Sequence, residues 1–338
     1  MLIKLLKFSG YLLYTLVVLV FLLWYTFPID ALKFRIEKDL NTMTPSLHWV
    51  VQEVTLVPPL DIKLHAVQIF EKDKKTDNSA KKERRKLLTV QTMILRPALG
   101  VWKDTGNIAA KYKLNLLSGV IAGHLGLTQD RSTLEYDGKM EEITINKELL
   151  PFIQEDYQRG VQGILSGTFS GSRKMMEKHP ALQGTFQFTK GKVGLQSPIL
   201  GMNELVFDRL ETQLILNKEK MTLSKGKVTS PTFTAEFQGK LHTAVPCRLS
   251  RVQIAGSFQP KPEFIASVDS PSLARILKKE MAKGATKDVL PFTVNGLLQK
   301  PGIVFPSLPP VFNRQMGQQR KQLLRKQLRQ LPKSKRSR

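Results

Sequence analysis

Apolar and polar residues alternate strictly between Thr232 and His242, and this period of two constrains the fold more than any other feature of the chain. Successive side chains of a β-strand point to opposite faces, so the alternation is typical of a strand with one buried face and one solvated face. The apolar positions are Phe233, Ala235, Phe237, Gly239 and Leu241. The segment is therefore predicted to be a half-buried strand.

Five further segments follow the same rule and are also predicted to be strands. Their apolar positions are Val252, Ile254, Gly256 and Phe258; Val161, Gly163, Leu165, Gly167 and Phe169; Ile121, Gly123, Leu125 and Leu127; Leu134, Tyr136, Gly138 and Met140; and Leu210, Leu214 and Leu216. Short turn signals at 189–192 and 217–220 predict antiparallel hairpins. Strands that follow one another without intervening helices favour an extended antiparallel sheet.

Helical spacing is confined to a few short segments. An amphipathic helix is predicted from Ile29 to Leu40, and a second helix from Lys147 to Tyr157 after the capping residue Asn146. A third is predicted from Pro271 to Lys283, with Ser270 as its N-cap and Gly284 as its end. This is little helical material to cover a long sheet.

Glycine recurs on the apolar side of the predicted strands, two residues before a large apolar residue, as in Gly167-Thr-Phe169 and Gly184-Thr-Phe186. Both residues lie on one face, and glycine in a strand marks a bend or a close approach to another surface. One interpretation is an ordinary sandwich or closed sheet; the other is a folded-over sheet with an apolar groove. The predicted groove residues are Leu125, Leu165, Phe169, Phe186, Phe188, Phe233, Phe237, Leu241, Ile254 and Phe258.

The amino-terminal segment predicts a membrane anchor. The 22 residues from Phe8 to Ile29 carry no charge, and a helix of that length spans about 33 Å, which matches a bilayer core. The alternative is a cleavable signal peptide, but 25–28 offers no small-residue cleavage site. The predicted anchor residues are Leu12, Leu16, Val20, Leu23 and Trp24.

Positive charge is concentrated at the carboxyl end of a chain whose formal net charge is +24. Ten basic residues and no acidic residue lie between Arg314 and Arg338. A narrow apolar stripe there predicts a basic helix on an anionic surface, and a solvated tail is the alternative. The predicted contact residues are Arg320, Lys321, Arg325, Lys326 and Arg329.

Residue patterns typical of catalysis or cofactor binding are missing from the sequence. The five histidines are scattered, and no nucleotide-binding fingerprint occurs. Ser166 lies outside the central position of a nucleophile elbow and within a predicted strand, while Ser79 of an SxxK match lies in a charged loop. The single Cys247 cannot form an intramolecular disulfide and is interpreted as a buried apolar residue. We expect no enzyme activity, no cofactor and no metal.

Two segments of the chain resemble the opening of the type II secretion system protein N family. They are Trp24-x-x-Phe27-Pro28, which closes the anchor, and Val54 to Val67 with its Pro58-Pro59 pair. The glycine-punctuated strands to about residue 305 are similar to the same family and, more distantly, to AsmA-like proteins. The high charge, the lysine-rich segment from Lys72 to Lys86 and the basic tail depart from the family pattern.

The resemblance implies a single-pass bacterial inner-membrane protein whose bulk lies in the periplasm, working with the secretion machinery. The more distant similarity to AsmA-like proteins implies an alternative function, in which an apolar groove binds or transports phospholipid or lipopolysaccharide. With the body outside the cytoplasm, no nucleic-acid partner is expected. The predicted organisation is a cytoplasmic tip and anchor at 1–28, a β-rich domain at 29–305 with a charged loop at 72–86, and a proline-rich linker and basic tail at 306–338.

The predicted fold class is thus mainly β. A single N-terminal transmembrane helix precedes a long curved antiparallel sheet, which forms a groove or folds over, with two or three short helices. A basic helix or tail ends the chain.

Overall fold

The computed structural model describes most of the chain between residues 10 and 308. The ranges outside the description are 1–9, 16–17, 20–21, 23–24, 45–46, 59–60, 72–85, 99–106, 117, 147–159, 176, 178–179, 245–248, 267, 269–270, 284–288, 299 and 309–338. Several sequence predictions therefore lie outside the described residues. They are the helix at Lys147–Tyr157, the cap Ser270 and stop Gly284 of another helix, Cys247, Ser79, nearly all of the charged loop, and the basic tail.

Fifteen strands form one antiparallel sheet. The strands are β1 (Leu47–Val50), β2 (Glu53–Val57), β3 (Asp61–Glu71), β4 (Lys86–Pro97), β5 (Ile108–Asn115), β6 (Val120–Leu127), β7 (Thr133–Ile145), β8 (Val161–Lys174), β9 (Ala181–Ile199), β10 (Met202–Asn217), β11 (Lys220–Thr229), β12 (Phe233–His242), β13 (Arg251–Pro260), β14 (Leu290–Leu297) and β15 (Lys300–Val304). From β3 onward each strand pairs with the next along the chain, and β1 and β2 both pair with β3.

The mainly β prediction is confirmed, and all six predicted strands are present as parts of β6, β7, β8, β10, β12 and β13. The described strands belong to one sheet rather than to two separate sheets. The predicted turn at 217–220 joins β10 to β11. The predicted turn at 189–192 is wrong, because β9 continues through it to Ile199.

What looks like a turn in β9 is a bulge. Lys190 has φ +50°, and the pairing of β9 with β8 shifts by one residue beside it. Similar left-handed residues interrupt three other strands, at Ala66 in β3, Glu142 in β7 and Lys225 in β11. Because side chains alternate between the two faces with a period of two, the even- and odd-numbered residues of the strand change faces beyond each of these positions. In β3, for example, the buried positions change from even to odd numbers between Leu64 and Val67.

Besides the helical residues 10–15, three helices are described: α1 (Ile29–Met43), α2 (Pro262–Ala266) and α3 (Pro271–Lys283). Helices α1 and α3 confirm sequence predictions, whereas α2 was missed. Helix α1 is attached to β1 by reciprocal hydrogen bonds, in which the Trp49 backbone N–H donates to Asn41 Oδ1 (2.9 Å) and Asn41 Nδ2 donates to the Trp49 carbonyl (3.1 Å). No helix among the described residues is both long and apolar enough to cross a membrane.

Two hydrophobic cores lie under these helices. The first contains Leu64, Val67 and Ile143, with Leu32 and Ile36 of α1 packed against it. The second contains residues of β10 to β14 together with Phe264 of α2, which is 1% exposed, and Leu277 of α3, which is fully buried. Helices α1, α2 and α3 therefore cover the sheet near its two ends in strand order.

Candidate functional site: an apolar strip on one face of the sheet

One face of the sheet is mainly apolar from β3 to β14. Residues directly opposite each other on antiparallel strands share a face, and the register places Leu125 opposite Tyr136, Leu165 opposite Phe188, and Phe188 opposite Leu210. Following these pairs from strand to strand puts all ten predicted groove residues on this one face. We call it the inner face.

Half of the ten predicted groove residues lie in or against the two cores. Phe233 and Phe258 are 2% and 6% exposed, and Phe258 packs edge-on against Phe264 of α2 at a ring-centroid distance of 5.4 Å. Leu165, Phe188 and Phe237 pack against the cores from the side. Phe233 and Phe258 are therefore covered by protein, whereas Leu165, Phe188 and Phe237 remain partly exposed beside the cores.

Ten of the other inner-face residues form a band that neither core includes. Each member is partly buried, and together they run from β6 to β13. We call this band the apolar strip; it consists of Leu125, Tyr136, Phe169, Leu182, Phe186, Leu214, Leu216, Leu223, Leu241 and Ile254. Five of its members were predicted from sequence, namely Leu125, Phe169, Phe186, Leu241 and Ile254.

Aromatic rings lie flat along this face because the neighbouring strands carry glycine. A methyl group added to Gly171 would lie 2.7 Å from the Tyr136 ring, and one added to Gly167 would lie 3.0 Å from the Phe186 ring. At Gly138 it would meet both Tyr112 and Phe169. Any larger residue at these positions would lift the rings, so the glycines keep the strip thin and even.

The polar atoms on the inner face already have partners. The Tyr112 hydroxyl donates to the Asp137 carbonyl at 2.9 Å, and the Tyr136 hydroxyl donates to the Ala181 carbonyl at 3.0 Å. Burial, with a smaller contribution from the charge of Asp137, raises the pKa of Tyr112 to about 12, and burial also raises the pKa of Tyr136. Both phenols therefore stay neutral, and the strip presents no charge.

An open depression of about 680 Å³ lies where β5 to β10 come together, within the usual range of about 300–1,000 Å³ for ligand pockets. Strip residues Leu125, Tyr136, Leu182 and Leu216 line it together with neighbours from the opposite, polar face. The depression thus adjoins the half of the strip that crosses the longest strands.

A serine, an aspartate and a histidine lie next to one another on the polar face, but they are not arranged as a catalytic triad. His124 Nδ1 lies 3.1 Å from Asp137 Oδ2, and Ser170 is the cross-strand partner of Asp137 on its other side. A catalytic triad needs the histidine between the serine and the acid, whereas here the acid lies in the middle. Among the described residues no group of three or more His, Cys, Asp or Glu side chains is arranged to hold a metal ion.

Of the predicted anchor residues, the structure describes Leu12 alone, which lies in a helical segment and is 63% exposed. Leu16, Val20, Leu23 and Trp24 lie outside the described residues, as do the predicted tail contacts Arg320, Lys321, Arg325, Lys326 and Arg329. Large apolar neighbours of Leu12 are equally open, with Tyr11 73% and Leu13 62% exposed.

Sequence reasoning missed half of the strip. Tyr136, Leu214 and Leu216 were assigned to predicted strands but not to the site, and Leu182 and Leu223 were assigned to neither. The alternation that identified the strands of Leu214 and Leu216 also places them on the apolar face. Comparison of the chain with protein-family models, curated proteins and solved structures found no match.

Proposed function

We propose that the protein is a membrane-anchored, non-enzymatic lipid-binding protein whose apolar strip accepts acyl chains. The observation that carries the proposal is the strip itself, a continuous band of partly exposed apolar side chains on one sheet face. Soluble proteins rarely leave contiguous apolar surface of this kind open unless it binds something apolar.

The length of the strip suits acyl chains. It crosses the eight strands from β6 to β13, and at a strand spacing of about 4.8 Å this corresponds to about 34 Å. A bilayer core is about 30 Å thick, so one acyl chain extends over roughly half that distance. The strip therefore has room for acyl chains laid across several strands.

The chemistry of the strip favours an acyl chain over an extended peptide. A peptide laid on a sheet face must still satisfy its backbone N–H and C=O groups, and each one left unpaired is costly. The two tyrosine hydroxyls on this face already donate to backbone carbonyls. An acyl chain has no polar group to satisfy, so it gains from burial without that cost.

An anchor at Phe8–Ile29 fits the same proposal. The described helical residues of this segment expose large apolar side chains, including Leu12 at 63% and Leu22 at 53%. Lipid tails would cover such side chains, and the anchor would hold the strip near the membrane from which lipid is drawn. The basic tail would add contacts to an anionic surface through Arg320, Lys321, Arg325, Lys326 and Arg329.

Lipid copurification tests the proposal with a matched pair of variants. Leu216 and Ile215 are neighbours on β10 and lie on opposite faces, Leu216 in the strip and Ile215 51% exposed on the polar face. Native mass spectrometry of the full-length protein, purified in detergent, is expected to show bound phospholipid. Leu216→Asp should reduce the bound fraction strongly, whereas Ile215→Asp should retain it.

The proposal fails if the wild-type protein carries no lipid, or if the two variants retain lipid equally while circular dichroism shows both folded. Loss of lipid in Ile215→Asp alone would place the site on the polar face and would also contradict the proposal.

A role in type II secretion, the first hypothesis from sequence, is a second candidate that rests on the resemblance at Trp24–Pro28 and Val54–Val67. The second of these segments forms β2 and most of β3, with the strand residue Val54 buried in the first core. In that setting the sheet would be presented to other components of the machinery. Deletion of the gene should then trap secreted proteins in the periplasm, and unchanged secretion would exclude this role.

A further inference from the structure

Basic residues cluster where β10 to β13 end beside the strip. Lys220, His242 and Arg251 are direct cross-strand partners in one row on the polar face, because they alternate with Leu241 and Val252 of the inner face, and Lys218 and Lys240 flank this row. All five side chains are exposed. We call this group the basic margin. The turn between β10 and β11 contributes one carboxylate, Glu219, to this surface.

From β5 to β15, charged residues at the strand ends lie at one margin of the sheet. At the margin that carries this row, β8 ends at Lys174. Three other strands begin there at basic residues, namely β11 at Lys220, β13 at Arg251 and β15 at Lys300. At the opposite margin none of the eleven strands from β5 to β15 ends or begins at a charged residue. The half-covered strip lies toward the basic margin, while the buried core residues lie toward the uncharged one.

Lys220 and Arg251 lie on either side of His242 in the row, two strand spacings or about 10 Å apart. An anion bound between these two cations would reduce their mutual repulsion. On the strip face itself, Arg173 lies directly opposite Leu134 near the same margin and acts on the ionisation of Tyr136. Long lysine and arginine side chains at strand ends can reach around a margin toward the other face.

We infer that the strip binds anionic phospholipid in a fixed orientation, with the phosphate at the basic margin and the acyl chains across the apolar strip. This inference rests on the proposed lipid-binding function and adds to it the headgroup charge and the side from which the lipid enters. The uncharged margin, next to the buried cores, would then be the end that the headgroup avoids.

Headgroup competition tests the inference on the full-length protein in detergent. Phosphatidylglycerol and phosphatidylcholine with identical acyl chains are offered in equal amounts, and the bound ratio is read by native mass spectrometry. The wild-type protein should prefer phosphatidylglycerol. In Lys220→Glu/Arg251→Glu we expect the preference to fall by about tenfold or more while total bound lipid changes little.

Two further variants keep the result interpretable. Lys220→Gln/Arg251→Gln removes the charges without reversing them and should give an intermediate preference. Lys190→Glu/Lys225→Glu makes the same change of charge at exposed bulge residues away from the basic margin and should behave as wild type.

The inference is overturned if the wild-type protein binds both lipids equally, or if the preference survives in the Lys220→Glu/Arg251→Glu variant. In both cases bound lipid that depends on Leu216 would still support the proposed function. If the wild-type protein binds neither lipid, the proposed function fails and the inference fails with it. Binding of the same variants to phosphatidylglycerol vesicles is measured as well. If Lys220→Glu/Arg251→Glu loses vesicle binding while its bound-lipid ratio is unchanged, the margin serves membrane docking, and the inference is overturned.

Discussion

Replacing Gly123 by alanine should destabilise the sheet by more than its single methyl group suggests. Gly123 lies opposite Gly138 on β7, and a Cβ atom at position 123 would be 1.9 Å from the Asp137 carbonyl oxygen and 2.6 Å from the Gly138 Cα. Both atoms are backbone, so rotation of a side chain cannot relieve the clash. Strands β6 and β7 must move apart locally, and overpacking of this kind costs about 1–3 kcal/mol.

The same movement displaces the carbonyl that accepts the Tyr112 hydroxyl at 2.9 Å. Loss of such a hydrogen bond adds about 1 kcal/mol, so the free energy of unfolding should fall by roughly 2–4 kcal/mol. Equilibrium urea unfolding of the full-length protein in detergent, followed by circular dichroism, measures this change.

Gly126 on the same strand provides the control. An added Cβ there has its nearest neighbour at 4.0 Å, so Gly126→Ala should be neutral or stabilise the fold by up to about 1 kcal/mol. If Gly123→Ala and Gly126→Ala unfold at the same urea concentration, the close approach of β6 to β7 is wrong, and with it the thin apolar face.

Three further predictions concern the cores and the ionisable groups. Phe264→Ala removes a ring that is 1% exposed and should cost about 3–5 kcal/mol in urea unfolding, and a cost under 1 kcal/mol would contradict the packing of α2 on Phe258. The hydrogen bond from Arg96, at 2.8 Å from Nε to Asp61 Oδ1, and its charge lower the pKa of Asp61 below its ordinary value of 3.8. The pair therefore stabilises the fold above that value and loses its effect as the pH falls through the lowered pKa, so Asp61→Asn should be less stable than wild type at pH 7 and the difference should vanish in acid. Because the pKa of Tyr112 is raised to about 12, the neutral phenol contributes fully to the free energy of unfolding below its ordinary pKa of about 10, and this contribution is lost as the pH rises toward 12. A spectrophotometric titration of Tyr112→Phe should lack the phenol that ionises last.

The strands could be predicted from sequence because their signal is local. Alternation from Phe233 to Leu241 requires one buried face whatever the partner strand is, and β12 has these bounds to within a residue. Glycine on the apolar side was likewise a local signal for a close approach of another group, and in the structure aromatic rings pack against glycines such as Gly171 and Gly184. Antiparallel order followed from the short connections between the strands.

The bulges and the division of the inner face could not be predicted in the same way. Lys190 and Glu142 adopt left-handed conformations that their side chains do not favour, so composition gives no sign of them, and a turn was predicted at Lys190 instead. In the sequence, Phe233 and Phe258 occupy the same kind of alternating apolar position as Leu241 and Ile254. Only the position of Phe264 and Phe305 over them makes two of these residues core and leaves the others in the strip.

Photocrosslinking with a phospholipid that carries a diazirine in its acyl chain tests the central claim most directly, because mass spectrometry then maps the residues that the chain touches. We predict adducts on strip residues of β7 to β11, such as Tyr136, Phe169, Leu182, Leu216 and Leu223. Adducts confined to residues 8–29, or located on polar-face neighbours such as Gln183 and Ile215, would contradict the claim that this face of the sheet holds lipid.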